Sequence, residues 1–273
     1  MNESISQRTK SLLTKHGFHL KKSLGQNLLV DPASLNRIID AADISKEDTV
    51  IEIGTGSGIL TKEIAKKAKK VISFEIDKRI FEIAKEYLCG MDNIDLRNED
   101  FLRADLKDVS KAKVVANVPY YITTPIIERI FENKAMFSTV TLTVQREFAE
   151  RMAAKSGTKQ YGSFTIFVNY HTEPKIAFYI PRSAFLPQPD VGSAVICMDI
   201  RKKPKVTVKD EKIFFEMVRA AFGQRRKTLR NALLSKFGSD LVDKALSGSG
   251  IDGKRRGETL SIEEFGMLAN ELA

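Results

Sequence analysis

The stretch VIEIGTGSGIL (residues 50–60) decides the fold. A β-branched apolar run, Val50 to Ile53, gives way to Gly54, Gly56 and Gly58 and then to helical periodicity. In an open α/β sheet, the turn after the first strand is where nucleotide-like ligands bind. Glycine there lets the backbone turn sharply and approach a ligand closely. A tight turn by itself needs fewer glycines than three in alternation. The spacing also discriminates between ligands. Dinucleotide sites favour G-x-G-x-x-G/A, but the third residue after Gly56 is Ile59. The segment GSGILTK (56–62) lacks the G-K-[ST] ending of a phosphate-cradling loop. A ligand without a pyrophosphate fits better.

Working outward, strand-like and helical runs alternate. TVIEI (49–53) precedes a helix over Gly58–Ala68, and VISFEI (71–76) precedes one carrying Ile80, Ile83, Ala84 and Tyr87. KVVAN precedes TPIIERIFEN, and TVTLTVQ precedes REFAERMAAK. Such units predict a parallel sheet covered by helices. The pattern changes after Met152. Late strands flank a proline-rich loop from Phe185 to Gly192, and residues 201–210 read as a charged linker broken by Pro204. The remainder reads as helices, with Ser261 and Glu264 at capping-box spacing before the last. The expected organisation is an α/β domain over 1–200 and a small helical domain over 207–273.

Two acids and one strand end belong with the glycine loop. Glu75 ends the second strand, where a carboxylate can accept both ribose hydroxyls of a nucleoside. Asp77 is the second choice for that role. Asp100, after the next strand-like segment, can accept from an adenine amine. Either acid alone reads as a surface carboxylate; at successive strand ends they read as a binding site. NVPYYITTP (117–125) puts an amide, a proline and two tyrosines where a plain strand-to-helix turn needs none of them. The competing reading makes Asn117 a helix cap and the tyrosines core, and core packing is the role assigned to Tyr121.

Charge points to a polyanionic partner. The 273 residues are 42% hydrophobic and 29% charged, with a net charge of +9. That excess favours nucleic acid first and acidic membrane surface second. Arg219, Arg226 and Arg230 fall seven and four apart, on one helical face, with Arg225 and Lys227 broadening it. Lys254, Arg255 and Arg256 add a second basic run. A lone basic face is usually just solvated; five basic residues within twelve suggest phosphate contacts. Cys89 and Cys197 form no CxxC pattern, and the three histidines do not cluster with them, so reduced thiols and no metal site are expected. No apolar run suggests a membrane span or secretory signal, and the reduced thiols make a cytoplasmic protein the expectation.

Five blocks then resemble a known family in its own order: KKSLGQNLLVD, IEIGTGSGILT, NVPYYITTPII, FLPQPDVGSAV and QRRKTLRNAL. They span residues 21 to 234 and are similar to the ribosomal RNA adenine dimethyltransferases, in the KsgA-type branch acting on small-subunit RNA. The resemblance implies a Rossmann-like sheet and S-adenosylmethionine as cofactor. It implies cofactor contacts from Asn27, Leu29, Gly54, Gly56, Glu75, Asp100 and Asn117, with Gln26 shaping the same pocket. Asn117 and the Val118 carbonyl would hold the target amine, Pro119 would set the chain direction, and Tyr120 and Phe185 would stack on the base. The small domain, with Arg219, Arg225, Arg226, Lys227, Arg230, Lys254 and Arg255, would contact RNA. The implied reaction is dimethylation of two adjacent adenosines in the 3′-terminal hairpin loop of small-subunit rRNA, within an immature 30S particle, by a monomer. The rivals are a large-subunit adenine methyltransferase and a non-catalytic assembly factor on the same fold. Val118 stands where the family often has leucine, Ser156 where proline is common, and Gly257 where alanine is common; a basic residue usual after Tyr161-Gly162 is also missing. These departures bear on loop geometry and RNA contacts rather than on the chemistry.

Overall fold

The computed structural model describes residues 5–18, 27–224 and 226–273. Gln26 and Arg225 lie outside the described residues. The chain forms two compact units: Met1–Ala149 with Lys175–Ile200, and Glu150–Pro174 with Arg201–Ala273.

The elements run α1 (Ile5–Lys15), β1 (Leu28–Leu29), α2 (Pro32–Ala41), β2 (Thr49–Ile53), α3 (Ile59–Lys67), β3 (Lys70–Phe74), α4 (Lys78–Tyr87) and β4 (Ile94–Arg97). Next come β5 (Ala112–Asn117), α5 (Thr123–Glu132), β6 (Phe137–Gln145), α6 (Arg146–Met152), α7 (Ser163–His171), β7 (Thr172–Ile180), β8 (Phe185–Leu186) and β9 (Ser193–Ile200). The last are α8 (Glu211–Gly223), α9 (Leu229–Leu233), α10 (Ser239–Ser249) and α11 (Ile262–Leu272).

Seven strands form one sheet in the order β4-β3-β2-β5-β6-β9-β7. From β4 to β6 the pairings are parallel, and β9 runs antiparallel to β6. The middle strands are buried on both faces and mostly apolar: every residue of β2 from Val50 to Ile53 is buried, Glu52 among them. The chain builds outward from β2 to β3 and β4, then returns to place β5 on the other side of β2. The strand order reverses between β2 and β5, and that switch point is where such sheets bind ligands. Asp31 and Asp77 cap α2 and α4 by accepting from the amides of Ser34 and Arg79. At the other end of the chain order, α1 is clasped to α4. Leu13 and Phe18 pack on Ile80 and Ile83, and Lys15 and His16 both reach Glu86.

The second unit has its own core. Phe214, Met217, Leu233, Val242, Leu260 and Phe265 gather there with Tyr161, Ile166 and Tyr170. Residues 150–174 thus pack with the later helices, which differs from the expected boundary near 200–207. The reason is physical: Tyr161 donates its buried hydroxyl to the Leu260 carbonyl at 2.9 Å, and Tyr170 stacks at 5.1 Å on Phe214. Nor is 201–210 a free linker. The amides of Arg201 and Lys205 donate to the carbonyls of His171 and Tyr170, and Val206 packs on the core. The capping box at Ser261 and Glu264 is formed, with 2.8 and 3.2 Å bonds.

Phe214 is fully buried among aromatic neighbours. Phe214→Ala should lower unfolding free energy by about 3–5 kcal/mol, read by denaturant titration; a loss under about 1 kcal/mol would contradict this packing.

Candidate active site

The site is built from strand ends. The glycine turn after β2 holds Gly54, Gly56 and Gly58 at φ of +83°, +56° and +80°. That left-handed region suits glycine and strains other residues. Space is also short at Gly56, where an added Cβ would lie 2.8 Å from a Leu28 methyl.

Glu75 follows β3 directly and is almost fully buried. Its two oxygens accept from the amides of Gly56 at 3.0 Å and Asp77 at 2.9 Å. Burial pushes its carboxyl up from the ordinary value, and those backbone bonds hold it down in part. Each oxygen keeps acceptor capacity for a hydroxyl. Asp77, the second choice, also lines the cavity described below, and its side chain caps α4. Asp100 accepts from the Leu102 amide at 3.0 Å, which orients its carboxylate at the end of the β4 segment.

Beneath the glycine turn lies an acid whose supporting role motif spacing does not reveal. Glu52 on β2 is wholly buried. One oxygen accepts from Thr61 and Ser73 hydroxyls, both at 2.6 Å, and the other has no partner among the described residues. Burial pushes its carboxyl up to about 8, against the lowering by those two hydroxyls. A protonated Glu52 fits the arrangement, since a neutral carboxyl tolerates an unpartnered buried oxygen better than a carboxylate does. The hydroxyl bonds join β2, β3 and α3 under the loop.

Asn117 ends β5. Its Nδ2 donates to the Asn27 carbonyl at 2.9 Å, across 90 residues of sequence. That bond fixes the amide and turns Oδ1 away from Asn27. Asn117 is not a helix cap: Pro119 and the turn Tyr120–Ile122 separate it from α5, whose cap position is Ile122. The Val118 amide donates to Thr143 of β6, and the Tyr120 hydroxyl pairs with Ser193 of β9 at 2.7 Å.

These groups converge on one cavity of about 440 Å³, within the roughly 300–1,000 Å³ range of small-molecule sites. Asn27, Leu29, Gly54, Gly56, Glu75 and Asp100 line it, together with Asn117, Val118, Pro119 and Tyr120. Ile76, Phe101 and Leu102 add apolar walls; they sit beside the acids in sequence, and that adjacency was the available signal.

Two aromatic expectations are corrected. Phe185 is 2% exposed and pairs across β8 with Leu29 of β1 inside a hydrophobic cluster. A ring with no open face cannot stack on a base, and Phe185 does not line the cavity. Tyr121, expected in the core, is 64% exposed on the cavity lining.

The basic residues also divide. The single helical face expected for Arg219, Arg226 and Arg230 does not exist, because α8 ends at Gly223 and α9 begins after the Thr228 cap. Arg230 forms a fork with Asp243 at 2.5 and 2.7 Å. Arg255 forms another with Glu264 and donates to the Thr259 carbonyl. Both guanidiniums are engaged by acids and carbonyls of their own unit. By contrast, Arg219, Arg226, Lys227 and Lys254 are exposed and make no ion pair among the described residues. The amides of Leu229 and Arg230 donate to the carbonyls of Arg255 and Gly253, which sets Lys254 close to the segment of Arg226 and Lys227.

The ribosomal RNA adenine dimethylase family model matches residues 17–273. This chain belongs to that family. A protein of Bacillus mycoides named ribosomal RNA small subunit methyltransferase A is 50% identical, over 97% of this chain and 95% of its own length. Its Bacillus anthracis counterpart matches equally. Among solved structures, a Plasmodium falciparum dimethyladenosine transferase superposes with TM-score 0.79 at 27% identity, covering 88% of this chain and 95% of its own. The 23S rRNA methyltransferase ErmE superposes with TM-score 0.73 at 29% identity, covering 90% and 99%. The adenine dimethylase family accounts for a nucleoside-sized cavity beside an amide at a strand end. No group of three or more metal-ligating side chains occurs among the described residues, and no helix there is long and apolar enough to cross a membrane.

The ionisation of Glu52 has a consequence for stability. Between the ordinary 4.5 and about 8, the folded chain holds a proton that the unfolded chain has released. Its contribution to stability is therefore full below 4.5 and is lost as pH rises towards about 8. Glu52→Gln should flatten the fall in unfolding free energy across this window, measured by denaturant titration at several pH values. An unchanged slope would mean that Glu52 is ionised in the fold.

Proposed function

We propose that this chain transfers methyl groups from S-adenosylmethionine to N6 of two adjacent adenosines in the 3′-terminal hairpin loop of small-subunit rRNA. The substrate is an immature 30S particle, and the enzyme acts as a monomer in the cytoplasm. The observation that carries the reading is Asn117, held by Nδ2 on the Asn27 carbonyl at the wall of a nucleoside-sized cavity. Membership of an adenine dimethylase family and 50% identity to small-subunit enzymes support the substrate.

The residues present fit the cofactor. Glu75 offers two carboxylate oxygens to ribose hydroxyls, and Asp100 faces the same cavity with a carboxylate for an adenine amine. Ile76, 68% exposed, and Phe101 offer apolar surface to the adenine ring. The left-handed glycines let backbone approach the methionine part. When bound, S-adenosylmethionine supplies a methyl group activated by a sulfonium.

The protein's own task is to make an adenine amine nucleophilic. The N6 lone pair is delocalised into the ring, so the amine is flat and a weak nucleophile. Acceptors on both its hydrogens favour a pyramidal nitrogen that recovers the pair. Asn117 Oδ1 and the Val118 carbonyl are those acceptors. Pro119 sets the direction of the chain, with φ at −56°. This is orienting and electrostatic catalysis. Methylation creates an acidic nitrogen, so its proton needs no strong base. The open aromatic face for the base belongs to Tyr121 on the rim and to Tyr120, whose hydroxyl is anchored on Ser193. Arg219, Arg226, Lys227 and Lys254 meet RNA phosphates; Arg230 and Arg255 hold the fold that presents them.

Incubation with labelled S-adenosylmethionine and immature 30S particles should give dimethyladenosine at two adjacent positions in the 3′ hairpin. Modification of 50S particles instead would favour the large-subunit reading. Asn117→Ala should lower turnover about 10²- to 10³-fold while RNA binding persists, and unchanged turnover would refute its role. A pure assembly factor would show no turnover even before mutation.

The double variant Arg226→Ala, Lys227→Ala should reduce the slope of log affinity against log salt by about 1.4–1.8. Arg230→Ala should lower stability and leave that slope in place. The opposite pattern would reverse the division between phosphate-binding and structural arginines.

A further inference from the structure

Beyond the cavity, one exposed aromatic is tied to the catalytic strand end. Tyr179 lies near the end of β7, an edge strand of the sheet, and is 48% exposed. Alternation along β7 puts Tyr179 on the open face with Lys175 and Ala177, while Phe178 and Ile180 turn into the core. Phe178 carries the packing role there, with the Arg37 guanidinium 3.9 Å above its ring. The Tyr179 ring instead faces outward, with the Arg146 guanidinium 4.8 Å from its centre.

A short chain of bonds fixes this pair relative to the cavity. Tyr120, on the cavity wall, pairs by its hydroxyl with Ser193 at 2.7 Å. The preceding carbonyl, that of Gly192, accepts the Arg146 amide at 2.9 Å. Arg146 is the first residue after β6 and covers Tyr179. Tyr179 is thus linked to the cavity wall through Arg146, Gly192, Ser193 and Tyr120. Exposed Tyr121 lines that cavity as well.

We propose that Tyr179 and Arg146 form a subsite for the nucleotide adjacent to the target adenosine: Tyr179 stacks on its base and Arg146 meets its phosphate. The inference rests on the proposed RNA substrate and adds a second nucleotide to the single base that the cavity holds. An enzyme acting on a base outside its stack leaves the neighbouring nucleotide unstacked too. An aromatic face replaces that lost stacking for any base, and a guanidinium beside it adds charge for the phosphate. Because the ring is outside the core, its removal leaves the cofactor cavity and the fold in place.

The test pairs protein variants with altered RNA. 30S particles are reconstituted with 16S rRNA carrying an abasic nucleotide on the 5′ or the 3′ side of one target adenosine. On intact particles, Tyr179→Ala should raise KM for the particle about tenfold, in line with loss of one base stack, with kcat and cofactor affinity unchanged. Tyr179→Phe should behave as the parent protein. An abasic nucleotide on one side should raise the parent's KM by a similar factor and leave that of Tyr179→Ala without further increase. Arg146→Ala should reduce the salt slope of binding by about 0.7–0.9. An unchanged KM for Tyr179→Ala overturns the subsite. So do effects of mutation and abasic nucleotide that multiply on both sides. If the parent protein methylates no 30S particle, the functional reading itself fails, a result distinct from an active enzyme indifferent to Tyr179.

Discussion

The architecture of the site depends on one buried carboxylate. Glu75 accepts from the Gly56 amide and the Asp77 amide, which joins the glycine turn after β2 to the start of α4. The turn needs that tie because three of its residues are left-handed glycines with little conformational preference of their own. Below it, Glu52 joins β2, Thr61 of α3 and Ser73 of β3. Two acids in one small region, both pushed towards the neutral form by burial, serve different ends. Glu52 is sealed off as structure, whereas Glu75 lines the cavity.

The second constraint is the bond from Asn117 to Asn27. It connects a strand end in the middle of the sheet to a segment near the start of the chain. That segment continues into Leu28, which packs at Gly56, and Leu29, which pairs with Phe185. The Asn117 amide, the glycine turn and the β1–β8 pair therefore form one continuous assembly. The proposed activation of an adenine amine draws on this rigidity, because hydrogen bonds activate an amine only when their acceptors stand ready in position.

Basic residues illustrate how charge in sequence separates into roles in space. Arg230 and Arg255 look like members of a nucleic-acid patch, yet each closes a fork on an acid of its own unit. Arg226, Lys227 and Lys254 have no such acid among the described residues, and backbone bonds join α9 to the 253–255 loop that carries Lys254. Spacing along a sequence could not make this division, since Asp243 is 13 residues from Arg230 and Glu264 is nine from Arg255.

By itself, the sequence determined the alternating strands and helices, the glycine turn, the acids at strand ends, and the odd group at Asn117. All of these depend on local rules: side-chain periodicity, glycine's freedom, and the position of polar residues after apolar runs. Only the tertiary structure decided what depends on neighbours distant in the chain. Residues 150–174 joined the helical unit because Tyr161 and Tyr170 found partners about 100 and 44 residues away. The two aromatic roles changed for the same reason. Phe185 lost its open face to the β1–β8 pairing, and Tyr121 kept its own because the turn after Pro119 aims it outward. Local pattern specifies which elements form; burial, and so availability to a ligand, is set by whatever the fold brings against each side chain.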